Sequence, residues 1–347
     1  MKLQKATLSG SVVELAEILK ELNTQIDKNM SSKEAYIDAD MILLRAHILS
    51  KIHRFKEAES DLNLLLSMGG ENALADEAIE SMKYDIDLNL GRYEKAKKKI
   101  LKLVKKDRSW ENLARLANYY SITGDNKKAD LLYSEAEGHL NSRQMRDYAW
   151  MQLQRGLLRL DAGNFKEAKS FFENANNSYT GYWLLEEHLA ETTALLGHHA
   201  KAIEIYKGVI NKTEQAEFYL ALSELLKESD PGQSLVYRKR ALELFQKQYK
   251  SLPEAVAGHW IEHALESGVS ELSSIQKLAE ENLQIRPNSE SKYLLAKTYL
   301  KSGKMSKAKK LFCEVESSPW RKPDYVKFKT ENSALFVKLN KTQCSSI

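Results

Sequence analysis

An all-α repeat architecture is predicted by three features of the 347-residue chain: a segment that returns, alanines at a near-constant interval, and few chain breakers. Gly163–Asn164–Phe165–Lys166–Glu167–Ala168 comes back 34 positions later as Gly197–His198–His199–Ala200–Lys201–Ala202. The alanines Ala58, Ala96, Ala129, Ala168 and Ala202 are separated by 38, 33, 39 and 34 residues. The longer gaps hold extra residues such as Met68–Gly69–Gly70 and His139–Leu140–Asn141. Only 15 Gly and 5 Pro punctuate the sequence, which favours long helices joined by short turns. Units of this size cannot bury their apolar faces alone and must stack on their neighbours. The expected fold is one continuous, right-handed, all-α solenoid of about eight helix–turn–helix units, capped at both ends. Residues 1–38 would form the N-terminal capping region, 39–320 the superhelix, and 321–347 a capping helix and frayed tail.

Each element has a local reason. Val12, Leu15, Ile18, Leu19 and Leu22 recur at helical spacing and predict an opening amphipathic helix that ends near Asn23. The first turn is His53–Arg54–Phe55, preceded by Ile42, Leu44, Ala46 and Leu49 and followed by Leu62 and Leu65. Further turns start at Gly91, Gly124, Gly163 and Gly197, each joining two apolar-striped segments. Ala216 to Leu226 and Ser234 to Phe245 predict a sixth pair, joined through Asp230–Pro231–Gly232, where Pro and Gly stop one helix. Pro253 to Leu265 and Ser273 to Leu283 predict a seventh, ending at Arg286–Pro287–Asn288. Leu295, Ala296, Tyr299, Gly303, Ala308 and Phe312 mark the eighth, and Tyr325, Phe328, Leu335, Phe336 and Leu339 a closing cap.

The eighth pair carries a Leu-small-x-x-Tyr pattern on its first helix and Ala-x-x-x-Phe on its second. In this the chain resembles the tetratricopeptide repeat family, over roughly residues 39–320. Small residues Ala46, Ala117, Gly156, Ala190 and Ala296 stand where the two helices of a unit cross, and bulky Tyr133, Phe172, Tyr206 and Phe312 four residues after the alanines of the second helices. The segments Asn141–Gln154 and Ser178–Glu191 also look similar to bacterial repeat proteins of no settled activity. The resemblance implies that first helices line a concave groove that receives a partner peptide or helix. Arg115, Asn118, Trp150, Gln154, Glu187, His188 and Glu191 would line it. Some family members grip a chaperone's C-terminal carboxylate with Lys, Asn and Arg. Here Asn118 fits one place, but Ala114, Gln154, Leu184 and His188 occupy the others, so that role is disfavoured.

Arg155 and Arg159 stand where the family usually places packed apolar residues, four apart and so on one side. Glu186 and Glu187 of the next unit are their expected partners, in a structural ion pair or in a polar pocket of Arg155, Arg159 and Glu186. His259–Trp260–Ile261–Glu262–His263 matches the H-x-x-E-H of inverted zinc peptidases, which makes His259, Glu262 and His263 a candidate metal site if a third ligand reaches them. Lys98, Lys102, Lys105, Lys106 and Arg108 form a basic stripe opposite Ile100, Leu101 and Val104, read as a solvated outer face.

The net charge of +4, from 52 basic and 48 acidic residues, gives no electrostatic footprint for nucleic acid. Two cysteines, Cys313 and Cys344, are too few for a disulfide framework. After Lys2 and Lys5 the run Ala6 to Val13 is broken by Thr7, Ser9 and Ser11, so neither a secretory leader nor a membrane span is read, and a cytoplasmic location is expected. The functional expectation is a non-enzymatic scaffold for a protein or peptide partner, without a cofactor. The alternative is a metal-binding regulator or metal-dependent hydrolase acting through residues 259–263.

Overall fold

The computed structural model describes residues 3, 6–7, 11–31, 36–68, 73–267 and 271–337. Among them the only regular elements are helices: α1 (Val12–Met30), α2 (Ala39–Lys51), α3 (Phe55–Met68), α4 (Ala73–Asn89), α5 (Tyr93–Lys106), α6 (Trp110–Ile122), α7 (Asn126–Gly138), α8 (Met145–Asp161), α9 (Phe165–Ser178) and α10 (Trp183–Leu195). They continue with α11 (His199–Ile210), α12 (Ala216–Leu226), α13 (Pro231–Ser251), α14 (Pro253–Ser267), α15 (Leu272–Ile285), α16 (Ser289–Lys301), α17 (Met305–Glu316), α18 (Pro323–Glu331) and α19 (Ser333–Val337). Taken in twos from α2 to α17 they give the helical pairs of an all-α repeat solenoid.

Turn chemistry explains the pairing. Gly91, Gly124, Gly163, Gly197 and Gly303 all have positive φ, and His53 takes the same left-handed conformation at the first turn. The repeat alanines Ala58, Ala96, Ala129, Ala168, Ala202 and Ala308 are fully buried. Several expectations need correction. The opening helix runs past Asn23 to Met30, because Ile26 extends the buried stripe of Leu15, Leu19 and Leu22 by another turn. Leu44 and Leu101 are exposed, and Ile48 and Leu103 take the buried places beside them. Pro231 opens α13 instead of ending the turn before it, a position where its missing N–H leaves no bond unmade. Leu339, Cys344 and the tail from Lys341 lie outside the described residues.

The chain divides into two compact units. The first comprises Met1–Ile18, Ser109–Ala117 and Asn126–Ser251. One of its cores gathers Ala149, Leu153, Ala168, Phe172, Ala175 and Leu185 from α8, α9 and α10; a second gathers Ala190, Tyr206, Val209, Phe218 and Leu222 from α10, α11 and α12. The absence of a side chain at Gly156 decides the first packing, since a Cβ there would lie 2.4 Å from Phe172 Cε1.

The second unit comprises Leu19–Arg108, Asn118–Asp125 and Leu252–Ile347. Here residues far apart in sequence dock through polar groups of the turns. His53 Nδ1 lies 3.3 Å from the carbonyl of Glu254, and Lys56 Nζ donates to the carbonyl of Gln284 at 2.8 Å. Asn288 Nδ2 donates to the carbonyl of Asn89 at 3.0 Å, the backbone N–H of Ser289 to Tyr93 Oη at 3.1 Å, and that of Arg321 to the carbonyl of Ile122 at 2.8 Å. At the end of the chain Tyr293, Phe312, Trp320, Tyr325, Phe328 and Phe336 pack ring on ring and cover the last pair.

Candidate functional site

Glu187, His188 and Glu191 fall on one side of α10 because positions three and four apart are neighbours on a helix. His188 Nδ1 is 3.0 Å from Glu187 Oε2 and 3.0 Å from Glu191 Oε2, and its ring stacks on Phe172 at 5.4 Å. The side chains of Glu187 and His188 are 16% exposed, so this charge sits where water screens it poorly. Burial pushes the Glu187 carboxyl up to about 7; His188 opposes the shift, whereas Glu191 and Glu217 add to it. Burial works against protonation of His188, but Glu187 and Glu191 together, with Asp161, hold its pKa above the usual histidine value. Glu217 Oε2 is buried without a hydrogen-bond partner. The result is an acidic nest with one imidazole in it. Its three nearest ligand atoms lie within 4.8 Å of one another, so it could hold a proton, an organic cation or a metal ion.

Arg155 and Arg159 find other partners than those expected. Arg155 Nε donates to Asp130 Oδ1 at 3.0 Å and Nη1 to Glu137 Oε2 at 2.9 Å, while Arg159 Nη2 and Nε reach Asp130 Oδ2 and Glu167 Oε1, both at 2.8 Å. The two arginines face α7, the preceding helix, and lie over the Phe171 ring at 4.9 and 5.4 Å. Glu186 instead accepts from Lys212 at 2.7 Å. This network ties α7, α8 and α9 together and leaves neither guanidinium without an anion.

The other expected groove residues separate. Trp150 packs edge-on to Tyr133 at 6.3 Å and against the core around Leu153. Gln154 is half-buried one turn further along α8, and Arg115 is half-buried on α6, whereas Asn118 belongs to the second unit. In that unit His259 and Glu262 line a cavity that His263 does not line. Among the described residues no third ligand joins this H-x-x-E-H segment, and Glu187, His188 and Glu191 are the cluster with metal-ligand spacing. The basic stripe of α5 is solvent-exposed, as a solvated face requires.

The family profile of the tetratricopeptide repeat matches residues 289–318, which are α16 and α17. Among solved structures the chain is similar to that of the APC/C hetero-tetramer Cut9–Hcn1, with a TM-score of 0.50 at 15% identity, over 89% of this chain and 64% of that one. Residues 289–318 are a tetratricopeptide repeat, set in a chain of all-α repeat fold. It is also similar to pilF of Pseudomonas aeruginosa, at 18% identity over 66% of this chain and 91% of that one with a TM-score of 0.43. A tetratricopeptide repeat protein from Parabacteroides merdae matches at 15% identity over 82% and 94% of the two chains, with a TM-score of 0.39. A comparison with curated protein sequences returns no match. No helix among the described residues is long and apolar enough to cross a membrane.

The α10 cluster is carried by the first helix of its pair, and Glu217 by the first helix of the next. Sequence inspection missed Glu217: it stands one position before the apolar run of α12, where it reads as an ordinary first-turn acid. The cluster makes stability depend on pH. Glu187 and His188 both bind protons more tightly folded than unfolded, so the stability linked to Glu187 is complete below about pH 4.5 and lost as pH rises through about 7, and that linked to His188 is complete below about pH 6.5 and lost as pH rises through its raised value. The apparent Tm should therefore fall between about pH 5 and 8. Glu187→Gln, which keeps a neutral group there, should melt higher than the parent at the alkaline end and flatten that fall. Thermal melts across the range check this, and parallel curves for the two proteins would remove Glu187 as the source.

Proposed function

We propose that the chain is a protein-interaction module, in which the first-helix face of the first unit, around Gln154, Glu187, His188 and Glu191, docks a basic segment of a partner peptide or helix. Tetratricopeptide repeat proteins generally mediate protein–protein interaction, which supports the class of function. The observation that carries the reading is the acidic nest itself, where Glu187 and Glu191 flank one imidazole and the charge of Glu217, whose Oε2 is unsatisfied, acts on Glu187. A lysine or arginine entering this nest would supply the missing positive charge in a poorly hydrated place, where charge-assisted bonds are strong. The neighbouring Tyr206, whose ionisation burial disfavours and the same carboxylates disfavour further, keeps the surroundings uncharged.

An array of helical and extended peptides with and without Lys or Arg tests it, probed with the full chain and with Glu187→Gln combined with Glu191→Gln. Basic peptides should bind, more weakly at high salt, and the double variant should lose about tenfold or more in affinity. Equal binding by the parent and the variant, or a preference for acidic peptides, would sink the proposal.

A further inference from the structure

The second unit contains a cavity of about 310 Å³, formed where the His53 turn, α14, the C-terminal end of α15, α16 and the segment leading into α18 converge. Arg286 lines it and is 8% exposed. Its Nη1 is 3.5 Å from His53 Nδ1 and its Nη2 3.4 Å from Asn282 Oδ1, both at the outer limit of hydrogen bonding, and its Nε has no partner. His53 Nδ1 also faces the Glu254 carbonyl at 3.3 Å, and one ring nitrogen cannot both donate there and accept from the guanidinium. Burial holds Arg286 below the usual arginine value against the opposing charge of Glu290, and no described carboxylate comes within ion-pair distance of it. Gly258 is what leaves the guanidinium its space, since a Cβ there would stand 2.6 Å from Nη2.

Charge of the opposite sign lines the same cavity. Glu262, Glu290 and Asp324 are all among its walls. Burial raises the Glu262 carboxyl, the negative charges of Glu290 and Asp324 raise it further, and His259 opposes them. The other basic groups present, His259 and Lys322, are exposed and form no ion pair with the three acids. Tyr293 and Trp320, with ring centroids 5.9 Å apart, supply an aromatic wall.

A buried guanidinium with no anion at contact distance and a group of acids with no cation at contact distance thus share one cavity, and a simple anion or cation would relieve only one of the two. The volume is at the lower end of the roughly 300–1,000 Å³ of ligand pockets, room for one small molecule. We propose that this cavity binds a small zwitterion of amino-acid size, its carboxylate on Arg286 and its ammonium among Glu262, Glu290 and Asp324. The planar fork of an arginine matches a carboxylate in two parallel hydrogen bonds. The aromatic wall would take the ligand's aliphatic part.

Calorimetric titration and thermal melts of the full chain with the free amino acids test this, with their N-acetyl and methyl-ester forms and a short N-acetylated peptide bearing a free C-terminal carboxylate as single-charge controls. At least one free amino acid should bind and raise the Tm. Both blocked forms and the peptide should bind about tenfold or more weakly. Arg286→Met should abolish binding. Because that variant removes a buried group, Glu290→Gln with Asp324→Asn, at exposed positions, provides the second reading: unchanged circular dichroism and about tenfold weaker binding. The proposal is overturned if no free amino acid binds the parent, if a blocked form or the peptide binds as tightly, or if the Glu290/Asp324 variant binds like the parent. None of these outcomes bears on the α10 cluster, which uses other residues.

Discussion

Phe172→Ala is expected to cost about 3–5 kcal/mol of stability, the range for deleting a fully buried phenylalanine ring. The ring is 0% exposed and packs among Ala149, Leu153, Ala168, Ala175 and Leu185, and it also carries the stacked imidazole of His188. Its loss therefore leaves a cavity where α8, α9 and α10 meet and removes one wall of the acidic nest. The adjacent Phe171 is half-buried beneath Arg155 and Arg159, so Phe171→Ala should cost only about 1 kcal/mol, through lost cation–π contact. Gly156 sharpens the test, because its missing Cβ would fall 2.4 Å from the Phe172 ring. Gly156→Ala should destabilise the parent, the overlap outweighing the roughly 1 kcal/mol that alanine gains in a helix, yet stabilise Phe172→Ala, where the ring is gone. Urea denaturation of the parent, the three single variants and the Gly156→Ala/Phe172→Ala double variant measures both. Equal losses for Phe171 and Phe172, or additive effects of Gly156→Ala and Phe172→Ala, would mean that this crossing is not packed as described.

The repeat was legible in the sequence because packing in a helical pair imposes a period. Ala168 and Ala202 must be small where helices touch, Phe172 and Tyr206 must fill the next turn, and Gly163 and Gly197 must turn the chain with positive φ. What was not legible follows no period. Arg286–Pro287–Asn288 reads as a boundary after the seventh pair, yet Arg286, Asn288, Ser289 and Ser291 are all buried, because the segment docks on a turn about two hundred residues earlier in the chain. Polar residues that bond to distant backbone carry no apolar stripe, and one sequence cannot tell them from a loop. The α10 cluster was half legible: helical spacing placed Glu187, His188 and Glu191 together, but nothing local announced Glu217. Arg155 and Arg159 pair with Asp130, Glu137 and Glu167 and not with Glu186 or Glu187, because the direction they face is a matter of packing that spacing on α8 cannot decide.

The docking of distant turns in the second unit can be separated from turn strain by comparing two glycines. Gly91 and Gly163 have φ of 77° and 75°, so alanine at either meets the same left-handed penalty of about 1–2 kcal/mol. Around Gly163 nothing lies within 4 Å of the added Cβ, and Gly163→Ala should cost that penalty and no more. At Gly91 the Cβ would stand 2.9 Å from Asn288 Cα and 3.0 Å from the Pro287 carbonyl oxygen, which are backbone atoms and cannot swing aside. Relief requires residues 287–288 to move away, which strains the bonds from Asn288 Nδ2 to the Asn89 carbonyl and from the Ser289 N–H to Tyr93 Oη. Overpacking of this kind adds about 1–3 kcal/mol, so Gly91→Ala should cost about 2–5 kcal/mol in total. Its signature is also spatial: hydrogen exchange should speed up at Ser289 and along the start of α16, far from the substitution in sequence, and should stay unchanged there in Gly163→Ala. Equal destabilisation by the two substitutions, with Ser289 protected in both, would show that the early turn and residues 287–288 do not meet in solution.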